Sequence, residues 1–201
     1  MIKQPKTVKE TQNKIGKILS VIPLTPNQWT LISLILAGIG GYQIIQNNLI
    51  LGLVLFAVSA LCDAIDGAVA RARNEVSNKG AFLDGIIDRF VEAIFLFSFM
   101  FYPLPTIFID SKIWLSLLIF LGSCMPSFIK AYADHREAIS KERAASMGGI
   151  CERSERLLII LFGLGSSIYI ANMNYFVYST ILATGLSCIT IIQRITWSLE
   201  G

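Results

Sequence analysis

Long apolar segments alternate with short polar connections along this chain. An apolar helix of about 20 residues crosses a hydrocarbon core of roughly 30 Å. We predict membrane spans at Asn27–Ile45, Leu49–Ala70, Gly80–Tyr102, Ile113–Ala133, Leu157–Ile170 and Tyr175–Trp197. The pattern therefore predicts an all-α, polytopic membrane protein with about six transmembrane helices.

The chain ahead of the first apolar segment has a different pattern. Within Thr7–Ile22, apolar residues recur at helical spacing beside Lys14 and Lys17. An amphipathic helix of this kind can lie in the headgroup plane, attracted by anionic lipids; an unstructured basic tail is the alternative. We expect residues 1–24 to form a cytoplasmic interfacial segment and residues 25–201 to form the transmembrane domain.

Composition supports the membrane interpretation. Hydrophobic residues make up 54% of the 201 residues and charged residues 15%, whereas soluble domains carry about 25% charged residues. This excludes a disordered chain, a disulfide scaffold and a nucleic-acid-binding domain. Lysine and arginine are concentrated before the first span and in the second-to-third and fourth-to-fifth connections, while the opposite side offers only Lys112. The positive-inside rule then places both termini on the cytoplasmic side of the cell membrane.

Four aspartates lie at comparable predicted depth in the second and third spans. Asp63 and Asp66 are spaced i, i+3, and Asp84 and Asp88 are spaced i, i+4, so each pair lies on one helix face. An ionised acid in lipid costs at least about 2.5 kcal/mol, and four together need a neutralising cation. Hard oxygen ligands suit Mg²⁺ or Mn²⁺. We therefore predict a divalent-metal site on the cytoplasmic side.

Small residues accompany these acids in a recognisable pattern. The stretch reads Asp63-x-x-Asp66-Gly67-x-x-Ala70-Arg71, then eight residues, then Gly80-x-x-x-Asp84-x-x-x-Asp88. It resembles the signature of the CDP-alcohol phosphatidyltransferases at every fixed position. The stretch Thr25-Pro26-Asn27-x-x-Thr30 is similar to the start of the family's first span, and about six spans is the family's fold.

The resemblance implies a reaction and roles for these residues. A hydroxyl of a small polar acceptor attacks the phosphorus that carries the lipid in a CDP-linked lipid, and CMP leaves. Asp88 would be the general base, and the Mg²⁺ or Mn²⁺ ligands would be Asp63, Asp66, Asp84 and Asp88. Binding of the CDP-lipid would involve Asn27, Thr30, Asp63, Asp66, Gly67, Ala70, Arg71, Gly80 and Asp84. The family also implies a homodimer.

Later segments bear on the acceptor. The stretches Ser127–Tyr132 and Gly148–Leu157 are similar to the branch that uses inositol phosphate as acceptor, although Phe128 and Tyr132 depart from its pattern. A phosphorylated acceptor brings about two negative charges, which suit basic donors. The candidates for its phosphate are Lys130, Arg153 and Arg156. Alternatively, these three residues only enforce the positive-inside rule.

Other functions compatible with the pattern are kept as alternatives. The same chemistry could use glycerol phosphate, serine or another alcohol as acceptor, with CDP-diacylglycerol or CDP-archaeol as donor. Intramembrane carboxylates also mark proton and cation paths, so an ion-coupled transporter is a further alternative. Transporter sites usually lie at the midplane between repeats, whereas these acids lie toward the cytoplasm and no repeat is evident. The enzyme interpretation is therefore favoured.

Overall fold

The computed structural model of the chain describes residues 20–200. In this range the helices are α1 (Pro26–Ile45), α2 (Leu49–Arg73), α3 (Asn78–Ser98), α4 (Ser111–Leu117), α5 (Met125–His135), α6 (Lys141–Ser146), α7 (Arg153–Ile170) and α8 (Asn174–Leu199). A 3₁₀ turn, Phe99–Phe101, follows α3, and a π-helix, Leu118–Cys124, joins α4 to α5. Within residues 20–200, the only β-type pairing is one isolated antiparallel bridge between Ile107 and Ile109. The predicted all-α class is confirmed for this range.

Four helical stretches are long and apolar enough to cross a membrane, as a multi-pass protein requires. They are α1, α2, the stretch Ser111–His135 and α8. The other two predicted spans are also helical. α3 contains five charged residues, and the 18 residues of α7 include Arg153, Glu155 and Arg156. α7 begins at Arg153 rather than at Leu157. The count of six spans stays a prediction.

The segment before α1 is tied to the end of α2. The predicted amphipathic helix lies outside the described residues except for Ser20–Ile22, which form a turn. Arg73 donates hydrogen bonds to the carbonyl oxygens of Ser20 at 2.6 Å, Ile22 at 2.5 Å and Leu24 at 2.8 Å. One guanidinium thus fixes the direction from which the chain enters α1.

The first turn of α1 is defined by a capping box. The Thr25 side chain accepts a hydrogen bond from the Gln28 N–H at 3.3 Å, and Gln28 Oε1 accepts one from the Thr25 N–H at 2.8 Å. Pro26 occupies the first helical position, where its missing N–H costs nothing. The sequence Thr-Pro-x-Gln therefore sets where α1 begins.

The described residues divide into two compact units, one ending at Ser98 and the other beginning at Phe99. In the first unit α1 packs against both α2 and α3. A Cβ at Gly52 would lie 2.5 Å from the Ile44 side chain and 3.1 Å from the Gly40 carbonyl oxygen. The absence of a side chain at Gly52 therefore allows α1 and α2 to approach closely.

The second unit is built around α8, which packs against α7, α5, α4 and the π-helix. A Cβ at Gly163 would collide with Ser179 Oγ, so α7 and α8 meet at this glycine. The π-helix contains Gly122, where a Cβ would lie 2.9 Å from Leu118 Cδ1 and 3.0 Å from Arg156 Cδ. Neither the π-helix nor the short helix α6 was predicted from the sequence.

Candidate active site

Three of the four predicted aspartates come together in the first unit. Asp63 and Asp66 on α2 and Asp84 on α3 each offer one carboxylate oxygen, and these three oxygens lie within 4.8 Å of one another. Asp66 is 5% exposed, and the other two are half-buried. The spacing of the acids predicts that each helix carries them on one face. These two faces meet in the structure, which brings the three carboxylates together.

A hydroxyl on α1 holds the most buried of these carboxylates. Thr30 Oγ1 donates to Asp66 Oδ2 at 2.5 Å and lies 3.1 Å from the Pro26 carbonyl oxygen. Thr30 itself is 3% exposed, so little water competes for the bond. The capped first turn of α1 thereby sets the orientation of Asp66.

Asp88 lies one turn beyond Asp84 on α3, and the three-carboxylate cluster does not include it. Its Oδ2 is 3.2 Å from Nη1 of Arg89. The same nitrogen donates to the Gly85 carbonyl oxygen at 2.7 Å, which anchors the guanidinium on α3. The Asp88 side chain is 13% exposed, so it is enclosed but still reachable.

The predicted CDP-lipid residues lie around the same cluster. A Cβ at Gly67, the residue after Asp66, would lie 3.3 Å from Arg71 Nη1, so the guanidinium of Arg71 lies over this glycine. A Cβ at Gly80 would lie 3.5 Å from Asn27 Oδ1, which brings the start of α3 beside the start of α1. Ala70 is half-buried on α2. Small residues thus allow Arg71 and Asn27 to approach the backbone of α2 and of the start of α3.

The donor set suits a divalent cation. Three carboxylates this close repel one another unless a cation or protons neutralise them. Oxygen-only ligands are those that Mg²⁺ and Mn²⁺ prefer. Within residues 20–200, one group of acidic, histidine or cysteine side chains is close enough together to hold a metal ion. It consists of Asp63, Asp66 and Asp84.

The predicted acceptor residues belong to the second unit. Lys130 on α5 lies with its Nζ 3.5 Å from the Ala145 carbonyl oxygen. Arg153 is the first residue of α7 and is half-buried. Arg156, one turn later, is 4% exposed and packs against Gly122 of the π-helix. An arginine that only enforces the positive-inside rule would reach water at the membrane surface. The burial of Arg156 is therefore not explained by that role alone.

Arg194 was not predicted from the sequence, and the structure places it close enough to Lys130 for the two charges to interact. Arg194 is 7% exposed on α8. Its Nη1 donates to the Pro126 carbonyl oxygen at 2.5 Å, and its Nη2 lies 3.5 Å from Glu152 Oε1. Arg194 and Glu152 both act electrostatically on Lys130. The available signal was a lone charge in the otherwise apolar last helix, which in a membrane protein marks a functional position.

Known proteins resemble the chain over nearly its whole length. Residues 23–192 match the family model described as CDP-alcohol phosphatidyltransferase. The archaetidylinositol phosphate synthase of Pyrococcus horikoshii is 35% identical over 190 residues, which cover 94% of this chain and 90% of that protein. The match extends beyond the signature and includes the second unit.

Solved structures share the fold. The Mycobacterium tuberculosis phosphatidylinositol phosphate synthase with CDP-DAG bound is 25% identical, with a TM-score of 0.74 and 94% of each chain covered. The same enzyme in complex with manganese and citrate gives a TM-score of 0.76, with 93% of this chain and 88% of that chain covered.

The fold, the acidic cluster and these similarities agree. They favour the enzyme over the transporter alternative, because the matched family is one of phosphotransferases and the match spans both units. The chain therefore belongs to the CDP-alcohol phosphatidyltransferase family.

Proposed function

We propose that this enzyme transfers a lipid phosphate from CDP-diacylglycerol or CDP-archaeol to a hydroxyl of inositol phosphate and releases CMP. The observation that carries the reaction is the cluster of Asp63, Asp66 and Asp84 within the family signature. The choice of acceptor is supported by the relatives, whose names specify archaetidylinositol phosphate and phosphatidylinositol phosphate as products.

Asp63, Asp66 and Asp84 would hold Mg²⁺ or Mn²⁺, and Asp88 is proposed as a further ligand. When bound, the ion would neutralise negative charge that develops on the diphosphate. The manganese complex of the structural relative supports this choice of metal. Asn27, Thr30, Gly67, Ala70, Arg71 and Gly80 are proposed, with the three acids, to bind the CDP-lipid.

Asp88 is proposed as the general base. The acceptor oxygen forms a bond to the lipid-bearing phosphorus as its proton passes to Asp88, and the bond from that phosphorus to the bridging oxygen breaks. CMP leaves with the electron pair of that bond. Asp88 lies one turn beyond Asp84 and carries Arg89 on one oxygen, which orients the carboxylate.

Lys130, Arg153 and Arg156, together with Arg194, are proposed to bind the phosphate of the acceptor. Lys130 and Arg194 are like charges in mutual electrostatic contact, and an anion between or beside them relieves their repulsion. Arginine forks also match phosphate geometry. Glu152 neutralises part of this charge, which leaves a net positive group suited to a dianion.

We further propose six membrane spans in a domain of residues 25–201, with the N-terminal segment 1–24 at the interface. The lysines and arginines of the charged connections support a cytoplasmic active site and cytoplasmic termini in the cell membrane. The expected homodimer rests on the family resemblance. Cysteine accessibility in oriented vesicles tests the orientation, and mass measurement in detergent tests the dimer.

The function is tested by CMP release from purified protein with Mg²⁺ or Mn²⁺. CDP-diacylglycerol and CDP-archaeol are each offered with inositol phosphate, inositol, glycerol phosphate and serine. We expect the highest kcat/KM with inositol phosphate, and loss of activity with a chelator that added metal restores. A higher kcat/KM with glycerol phosphate or serine would contradict the proposed acceptor without affecting the family reaction.

A further inference from the structure

The loop that leads into α7, residues 147–152, is attached to α8 by side chains of α8. The Cys151 N–H donates to Thr190 Oγ1 at 2.9 Å, and the Ile150 N–H donates to Gln193 Oε1 at 3.0 Å. Both bonds join main-chain donors of the loop to side-chain acceptors about 40 residues away. The loop's conformation therefore depends on α8 as well as on its own sequence.

The contact between Thr190 and the loop is buried from solvent and closely packed. Thr190 and Cys151 are both 0% exposed. A Cβ at Gly149 would collide with Thr190 Cγ2 and lie 3.1 Å from Thr190 Cβ, so the backbone at Gly149 lies directly on the threonine. Removing the hydroxyl would leave the buried Cys151 N–H without this acceptor, and a buried polar group that loses its partner is costly.

The hydroxyl of Thr190 differs from the other buried hydroxyls of α8 in what it contacts. Thr184 Oγ1 donates to the Thr180 carbonyl oxygen at 2.8 Å, and Ser187 Oγ donates to the Ala183 carbonyl oxygen at 2.7 Å. Those bonds remain inside the helix. Thr190 Oγ1 has such a bond as well, to Leu186 at 3.1 Å, and in addition accepts from the loop.

We propose that Thr190 and Gln193 are positioning residues for the acceptor site, because they fix the loop that places Arg153 at the start of α7. The inference rests on the proposed function, in which Arg153 binds the acceptor phosphate. Gln193 and Arg194 are neighbours on α8. This helix therefore contributes Arg194 to the proposed acceptor site and also holds the loop that leads to Arg153. Small misplacements of a binding group are costly where it must meet a fixed charge.

The test compares Thr190→Val with Thr184→Val. Both replace a buried threonine hydroxyl of α8 by a methyl group, but only the first removes an acceptor from the loop. We expect Thr190→Val to raise the KM for inositol phosphate about five- to ten-fold, as loss of a buried hydrogen bond predicts. kcat and the KM for CDP-lipid should stay within about two-fold of the Thr184→Val values, and Thr190→Ser should restore the acceptor KM.

A second measurement reports on the loop without using activity. The Cys151 thiol is buried, so its alkylation by N-ethylmaleimide, followed on its own peptide by mass spectrometry, measures opening of the loop. We expect labelling about five-fold faster in Thr190→Val than in Thr184→Val. Equal labelling rates, or an equal loss of kcat and of CDP-lipid affinity, would overturn the inference.

The two proposals fail separately. If the wild-type enzyme prefers another acceptor, the proposed acceptor is wrong, and the same variants are compared on the KM of the acceptor that it does use. A raised KM in Thr190→Val alone then supports the positioning role. An unchanged KM overturns that role, whichever acceptor is used.

Discussion

Thr30 on α1 donates a hydrogen bond of 2.5 Å to Asp66 on α2, which lies 36 positions later in the sequence. Neither residue is more than 5% exposed. A hydrogen bond to a ligating carboxylate fixes which oxygen faces the metal and which faces the protein. In the proposed metal site, the first helix would therefore orient a ligand without supplying one.

Replacing Thr30 by Val should weaken metal activation while leaving the three proposed ligands in place. Loss of a partner of this kind typically costs about 10- to 100-fold in metal affinity, so the Mn²⁺ concentration for half-maximal CMP release should rise in that range. Thr30→Ser should restore it. Ser33→Ala is the control, because the Ser33 hydroxyl donates to a carbonyl oxygen of its own helix at 2.7 Å. An unchanged Mn²⁺ requirement in Thr30→Val would refute this role.

Replacing Asp88 by Asn should remove the proposed base and keep a side chain of the same size. General-base catalysis contributes about 10²- to 10⁴-fold, and kcat for CMP release should fall by at least that much. Binding of CDP-lipid, measured by thermal shift, should persist. Asp110→Asn is the control, because Asp110 is an exposed helix cap that accepts from the Lys112 N–H at 2.8 Å. Near-normal turnover in Asp88→Asn would rule out the assigned role.

Replacing Lys130 or Arg153 by Gln should impair use of inositol phosphate selectively. A hydrogen bond to a charged group is worth about 1.5–3 kcal/mol, so the KM for inositol phosphate should rise about ten-fold or more. Affinity for CDP-lipid should be unaffected. Lys112→Gln, a lysine predicted on the opposite side of the membrane, is the control. Unchanged acceptor saturation in both variants would exclude a phosphate role for these residues.

Replacing Gly122 by Ala should destabilise the second unit, because the new Cβ would meet Leu118 at 2.9 Å and Arg156 at 3.0 Å. Overpacking typically costs about 1–3 kcal/mol, and thermal unfolding in detergent should show a lowered Tm. Gly165→Ala on α7 is the control, since a Cβ there has nothing within 4 Å. That change should be neutral or stabilising by up to about 1 kcal/mol. Equal Tm values in the two variants would show that the π-helix tolerates a side chain.

Periodicity accounts for the parts of the fold and site that depend on one helix at a time. α1 begins at Pro26 where Asn27 was predicted, and α8 ends at Leu199 where Trp197 was predicted. Asp63, Asp66 and Asp84 come together because spacing on each helix decides which face an acid occupies. These features needed only helical geometry and the energetic cost of charge in lipid.

Features that depend on distant parts of the chain were not predicted. The π-helix around Gly122 accommodates Arg156, 34 positions later, and no local pattern specifies that pairing. The attachment of Cys151 to Thr190 joins positions 39 apart. Arg194 was detectable as the lone charge of an apolar helix, but its partners Glu152 and Pro126 were not.

The charge on α3 has a consequence for how the protein is made. This helix contains five ionisable residues, Lys79, Asp84, Asp88, Arg89 and Glu92. A charged residue at the centre of a span raises the free energy of membrane insertion by about 3 kcal/mol. Alone, α3 would be a poor substrate for partitioning from the translocon. The two preceding helices leave the ribosome first, and α1 provides the surface against which α3 packs. If α3 spans the membrane as predicted, we therefore expect its insertion to be cooperative with that of the two helices synthesised before it, because one of them supplies its packing surface.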